Sequence, residues 1–185
     1  MQLIWDINKF RCRVNQVEIA VAPAKFPPFA VGAVIEEQDT ALLLDDSNEL
    51  RDPGQKPLWF YANKLDHQTL LNPGQVVTRD TQPLRLQAII HDLESEPICN
   101  ELWVFQAIQQ TMEIVENRKI EAIQTPPLGC RFGKLKYDQF FAILLEIITR
   151  QRPAPVARIW INIPEENCET VFTLLSEQIQ SAQLP

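Results

Sequence analysis

The sequence predicts an α/β layered domain, and three observations carry the prediction. From about residue 86 onward, apolar stretches of strand length alternate with apolar stripes of helical period. Two of the strands read as short continuous apolar runs, which suits burial on both faces of a sheet. A Pro- and Gly-containing turn at residues 125–134 joins one such strand to the helix that follows it.

Each element has its own signal. Leu86, Ala88, Ile89 and Ile90 mark a buried strand. Residues 99–117 read as an amphipathic helix with Leu102, Phe105, Ile108, Met112 and Val115 on one face. A strand near Ile123 comes next. The helix from Tyr137 carries Phe140, Phe141, Leu144, Leu145 and Ile148, and Pro153 and Pro155 end it. Residues 157–163 form a strand stopped by Pro164, and a last helix carries Val171, Leu174, Leu175 and Ile179. In the first half, residues 17–21 read as a strand. Residues 31–46 fit a pair of short helical turns or a strand pair equally well. Turn signals stand at Asp52-Pro53-Gly54 and Asn72-Pro73-Gly74, the second leading into a strand at Val76-Val77-Thr78. Trp59, Phe60 and Tyr61 mark an extra strand or a packing segment.

Composition narrows the functional classes. A chain of 185 residues suits one domain with a sizeable core. The net charge of −7, from 17 basic and 24 acidic residues, argues against a bulk nucleic-acid surface. The longest apolar runs fall far short of a membrane span and the N-terminus lacks a secretory pattern, so a cytoplasmic location is expected. The four cysteines are scattered and only two histidines occur, His67 and His91. That is neither a zinc constellation nor a disulfide framework, so no metal and no cofactor is expected.

The candidate chemistry centres on Leu128, Gly129, Cys130, Arg131, Phe132 and Gly133. A glycine turn ahead of a helix N-terminus can aim consecutive backbone N–H groups at an anion. On spacing alone, the same turn reads more readily as a strand-to-helix connection that needs glycine for its dihedrals and binds nothing. Cys130 near a helix start is a candidate nucleophile, and His91 with Asp92 and Glu94 is a candidate acid/base group; both constellations are incomplete.

Taken in order, these pieces resemble the macro domain, the ADP-ribose-binding module. The turn at Asn72-Pro73-Gly74, the strand at Val76-Val77-Thr78, the strand ending in Ile89-Ile90-His91 and the stretch from Thr125 to Gly133 resemble its consecutive motifs over about 110 residues. The resemblance implies a three-layer α/β/α fold with a mixed central sheet, spanning residues 1–185 as one domain with an insertion at about 36–70. Trp5-Asp6-Ile7-Asn8 resembles the family's Gly-Asp-Ile-Thr motif, which implies that Asp6 reads adenine beside Ile7. Residues 17–25 resemble the family's Val-Asp-Ala-Ile-Val-Asn-Ala-Ala-Asn, with Ala22 and Lys25 where asparagines are expected. Of the glycine triplet, only Gly32 remains. The resemblance therefore implies binding of ADP-ribose or another nucleotide or phosphorylated ligand, without hydrolase activity. The alternative is a degenerate macro fold that serves as a protein-interaction or structural module, with a homodimer or protein partner on the aromatics at 59–61.

Overall fold

The computed structural model describes Asp6, residues 8–42, Leu44, and residues 70–150 and 155–183. Its frame is a seven-stranded sheet. In chain order the strands are β1 (Arg11–Val14), β2 (Val17–Ala22), β3 (Ala33–Asp39), β4 (Val76–Arg79), β5 (Leu84–His91), β6 (Ala122–Thr125) and β7 (Arg158–Asn162). Their spatial order is β1-β2-β7-β6-β3-β5-β4. The five inner strands are parallel, and the two edges pair antiparallel, so the sheet is mixed. Three described helices accompany it, α1 (Glu101–Asn117), α2 (Tyr137–Arg150) and α3 (Cys168–Gln183), with α2 packed between the other two. This is a three-layer α/β/α fold with a mixed central sheet.

Local chemistry explains the elements. The first hairpin turns on Asn15, whose φ of 54° is a left-handed conformation that asparagine tolerates. Asn100 caps α1, its side-chain oxygen accepting from the Trp103 N–H at 3.0 Å. The buried stripe of α1 is Val104, Ala107, Ile108, Thr111, Met112 and Val115. Leu102, expected on that face, is 60% exposed, because two residues before Val104 is the opposite side of a helix. Helix α2 buries Phe140, Phe141, Ile143, Leu144, Leu145, Ile147 and Ile148, a wide face that suits a helix flanked by two others.

The described residues of the 31–46 span form neither a helical pair nor a strand pair. Residues 33–39 are one strand at the centre of the sheet, paired with β5 along its length and with β6 at Ala33↔Ile123 and Val34↔Gln124. Glu36 to Asp39 therefore belong to the sheet. The turn at Asn72-Pro73-Gly74 forms, with Gly74 at φ 91°. Trp59, Phe60 and Tyr61 lie outside the described residues.

The topology fixes where a cleft can open. The crossover from β6 through α2 runs to β7 on one side, whereas the chain leaving β3 returns to the sheet at β4 and β5 on the other. Neighbouring strands whose connections depart in opposite directions leave a crevice beyond their carboxyl ends. Here that crevice lies between β3 and β6.

Candidate functional site

A cleft of about 630 Å³ opens at the carboxyl ends of the parallel strands. One wall is the loop after β6, with Pro126, Pro127, Cys130 and Arg131, and the start of α2 at Tyr137. The facing wall is built from Pro23 and Ala24 after β2, and from Asn162, Ile163, Pro164 and Asn167 at the end of β7. Glu37 of β3 reaches its floor. This is a volume and a lining (apolar, with a few polar groups) that suits a small organic ligand.

The loop is held by its glycines. Gly129 sits at φ 78°, where a side chain is strained, and a Cβ there would come within 3.1 Å of the Cys99 sulfur. A Cβ on Gly133 would fall 2.5 Å from the Cys99 Cβ and 2.8 Å from the Gly129 carbonyl oxygen. The Leu135 N–H donates to that carbonyl at 3.1 Å, and the Cys130 N–H donates to the Pro127 oxygen at 3.1 Å.

The Gly129 N–H itself donates at 2.9 Å to Glu37 Oε1, in a fully buried contact. The other Glu37 oxygen lies 2.9 Å from His91 Nε2. With Nε2 donating to the carboxylate, His91 Nδ1 has no partner among the described residues. Glu37 is 1% exposed and His91 also 1%. A buried carboxylate costs several kcal/mol unless its oxygens are satisfied, and these two bonds provide for that. Glu37 is one of five consecutive buried polar residues, Glu36 to Thr40. Glu36 accepts from Arg85 Nε at 2.6 Å, and Asp39 accepts from the Ala41 and Leu44 N–H groups at 2.7 and 3.0 Å.

The thiols nearby are held protonated. Burial, reinforced by the Glu37 charge, pushes Cys130 and Cys99 each up to about 12. All four cysteines are free thiols.

The expected site residues scatter more than the sequence suggested. Cys130 and Arg131 line the cleft, and Arg131 lies over the Phe132 ring at 5.1 Å. Phe132 turns toward the His91 ring, edge-on at 6.1 Å. Gly129 and Gly133 are buried supports of the loop, and Leu128 is fully buried in the core. Gly32 precedes β3 and lines a separate hollow with Asp80, Thr81 and Arg118 at the opposite end of the sheet, so it does not meet the loop. Asp6 is exposed, and its Oδ1 accepts from the Asn8 N–H at 2.9 Å as a turn cap. Ile7 lies outside the described residues. Asp92 caps its own turn through Glu94 and Ser95 and so is not aimed at His91. Lys25 pairs with Glu165, and the Ala22 carbonyl accepts from the Trp160 indole at 2.8 Å.

Sequence reasoning missed Glu37, Tyr137, Asn162 and Asn167 as cleft residues. A signal existed for the first. A polar run at Glu36 to Thr40 follows directly on the apolar residues Val34 and Ile35, where an ordinary strand would end in a turn. Asn162 closes a strand just before Pro164, where strand ends meet a crevice. Among the described residues, no helix is long and apolar enough to cross a membrane. Nor, among them, do three His, Cys, Asp or Glu side chains gather as a metal ion would require.

Neither the protein-family models nor the curated proteins contain a match to this chain. Solved structures do match. The Oceanobacillus iheyensis macrodomain, in a structure with ADP, superposes with a TM-score of 0.64 at 13% identity, over 93% of this chain and 95% of that one. The macrodomain of Thermus aquaticus DarG gives a TM-score of 0.56 at 15% identity, over 79% of this chain and 98% of that one. The Trypanosoma brucei macrodomain, in complex with ADP, gives 0.58 at 8% identity, over 85% of this chain and 68% of that one. The chain has the macro-domain fold.

Proposed function

We propose that the cleft binds ADP-ribose or a related nucleotide and does not hydrolyse it. The observation that carries this reading is the cleft itself: about 630 Å³ over the carboxyl ends of β2, β7 and β6, bordering at Glu37 the switch point between β3 and β6, and open α/β sheets take their ligands in such crevices. Its lining suits a nucleoside. Tyr137 and the prolines offer flat apolar surface, and Asn162 and Asn167 offer amide groups to ribose hydroxyls or a base edge. Arg131 adds a cationic group to the lining. Relatives in fold were crystallised with ADP, which agrees with this ligand class.

The groups present support the reading without hydrolysis. Of the titratable side chains that line the cleft, Glu37 has both oxygens engaged and Cys130 is a thiol pushed up to about 12. The thiol is not disposed to attack a glycosidic carbon at neutral pH, and Glu37 is tied by its bonds to Gly129 and His91.

Calorimetry with ADP-ribose, alongside adenosine, tests the reading. Saturable binding is expected, lost in the double variant Tyr137→Ala/Arg131→Glu and kept in Arg118→Ala at the far end of the sheet. Equal heats from all three proteins would overturn it, and no binding at all would turn attention to a protein-interaction module. Incubation with an ADP-ribosylated protein should release no ADP-ribose.

A further inference from the structure

We infer that Glu37 is the specificity-determining residue of the cleft: it fills the Gly129 backbone donor from within and so holds down the contribution of a ligand's diphosphate. The inference rests on the nucleotide-binding reading above and says which part of the ligand the cleft reads.

The geometry is unusual for a turn of this kind. A glycine loop ahead of a helix is useful to an anionic ligand because its N–H groups point outward with nothing else to satisfy them. In this loop two donors are already spent. The Cys130 N–H closes back on Pro127, and the Gly129 N–H ends on Glu37 Oε1 at 2.9 Å. The second is the telling one, because its acceptor comes from a residue 92 positions away and carries a negative charge. An internal carboxylate thus makes the contact that a phosphate oxygen would make.

Two consequences follow for a ligand. A phosphate approaching the loop must displace a carboxylate that is also tied to His91 at 2.9 Å, or sit beside it and meet like-charge repulsion in a poorly solvated place. A hydroxyl or amine donor placed there meets the opposite situation, since a carboxylate with two oxygens retains lone pairs for a further donor. The protein therefore draws its affinity from the nucleoside part of the ligand, against Tyr137, Asn162 and Asn167, and little from the phosphates.

The experiment compares three proteins, the wild type, Glu37→Gln and Glu37→Ala, with three probes, inorganic pyrophosphate, ADP-ribose and adenosine. Calorimetry gives affinities, and the amide resonance of Gly129 gives the place of binding. In the wild type, pyrophosphate leaves the Gly129 amide unmoved, and ADP-ribose binds no more than about threefold tighter than adenosine. In Glu37→Ala, pyrophosphate shifts the Gly129 amide and ADP-ribose tightens by tenfold or more, while adenosine changes less than twofold. Glu37→Gln keeps the position filled without the charge and falls between them, which guards against misreading a poorly folded Ala variant. Equal ADP-ribose to adenosine ratios in all three proteins would overturn the inference. So would a pyrophosphate shift of Gly129 that is already present in the wild type. Failure of the underlying reading looks different: pyrophosphate then binds Glu37→Ala at Gly129, yet neither ADP-ribose nor adenosine binds any of the proteins.

Discussion

Replacing Glu37 by alanine should destabilise the protein by about 2–4 kcal/mol, and the structure allows that figure to be assembled. The substitution strips the acceptor from two buried donors, the Gly129 N–H at 2.9 Å and His91 Nε2 at 2.9 Å. An unsatisfied buried donor costs about 1–3 kcal/mol, so two cost roughly 2–6 kcal/mol. Part of that is returned, because a carboxylate that is 1% exposed carries a desolvation penalty that disappears with it. Glutamine behaves differently. Its carbonyl can still accept from Gly129, and its amide can donate to His91 Nε2 in the other tautomer, which leaves the proton on the unpartnered Nδ1, so the loss should be about 1–2 kcal/mol, below that of alanine. Urea unfolding of the three proteins measures this directly, and the Ala variant should also melt roughly 5–15 °C lower. Two results would refute the reasoning: an Ala variant within about 0.5 kcal/mol of the wild type, or a Gln variant as damaged as Ala.

Other parts of the loop give independent checks. Gly133→Ala places a methyl 2.5 Å from the Cys99 Cβ and 2.8 Å from a backbone oxygen, so overpacking should cost about 1–3 kcal/mol in urea unfolding. For the same reason, bulky substitutions at Gly129 or Gly133 report on folding before they report on ligand, and neither is a clean probe of the cleft. The thiols predict a pH dependence. Cys99 and Cys130 are raised to about 12, and Cys12 and Cys168 to about 11, with burial the first cause in each. The unfolded thiols ionise near 9 and the folded ones later, so this stability is intact below pH 9 and lost as pH rises toward 11–12. Denaturation midpoints followed from pH 8 to 11 should fall steadily above 9, and iodoacetamide should label native Cys130 far more slowly than an unfolded control. Rapid labelling with an inflection below pH 9 would contradict the burial described.

The order of strands and helices beyond residue 84 was legible because each element keeps a single period. Strand β5 is apolar through Ala88, Ile89 and Ile90, and α2 repeats its apolar residues every three or four positions. The core helix α1 was legible in extent, but its buried face was displaced by the apolar look of Leu102 in the first turn. The central strand β3 was not legible. Four of its seven residues are Glu36, Glu37, Gln38 and Asp39, and local pattern has no means of knowing that Arg85, His91, Gly129 and a following turn satisfy the three carboxylates among them. The sequence leaves the glycine loop open as a run of donors facing a ligand or as a bare strand-to-helix turn; its shape is legible there, but its internal acceptor is not. Glu37 and Gly129 meet only because β3 and β6 lie side by side in the sheet, which is a fact of topology. The same applies to Gly32, whose nearness to the loop was inferred from a motif order and not from the end of the sheet it occupies.

The most direct test of the account is to titrate ADP-ribose into isotopically labelled protein and follow the backbone amides. The account predicts that shifts concentrate on Ala24, Arg131, Tyr137, Asn162 and Asn167, around the walls of the cleft. An unchanged spectrum, or shifts gathered on Gly32, Thr81 and Arg118 at the other end of the sheet, would contradict it.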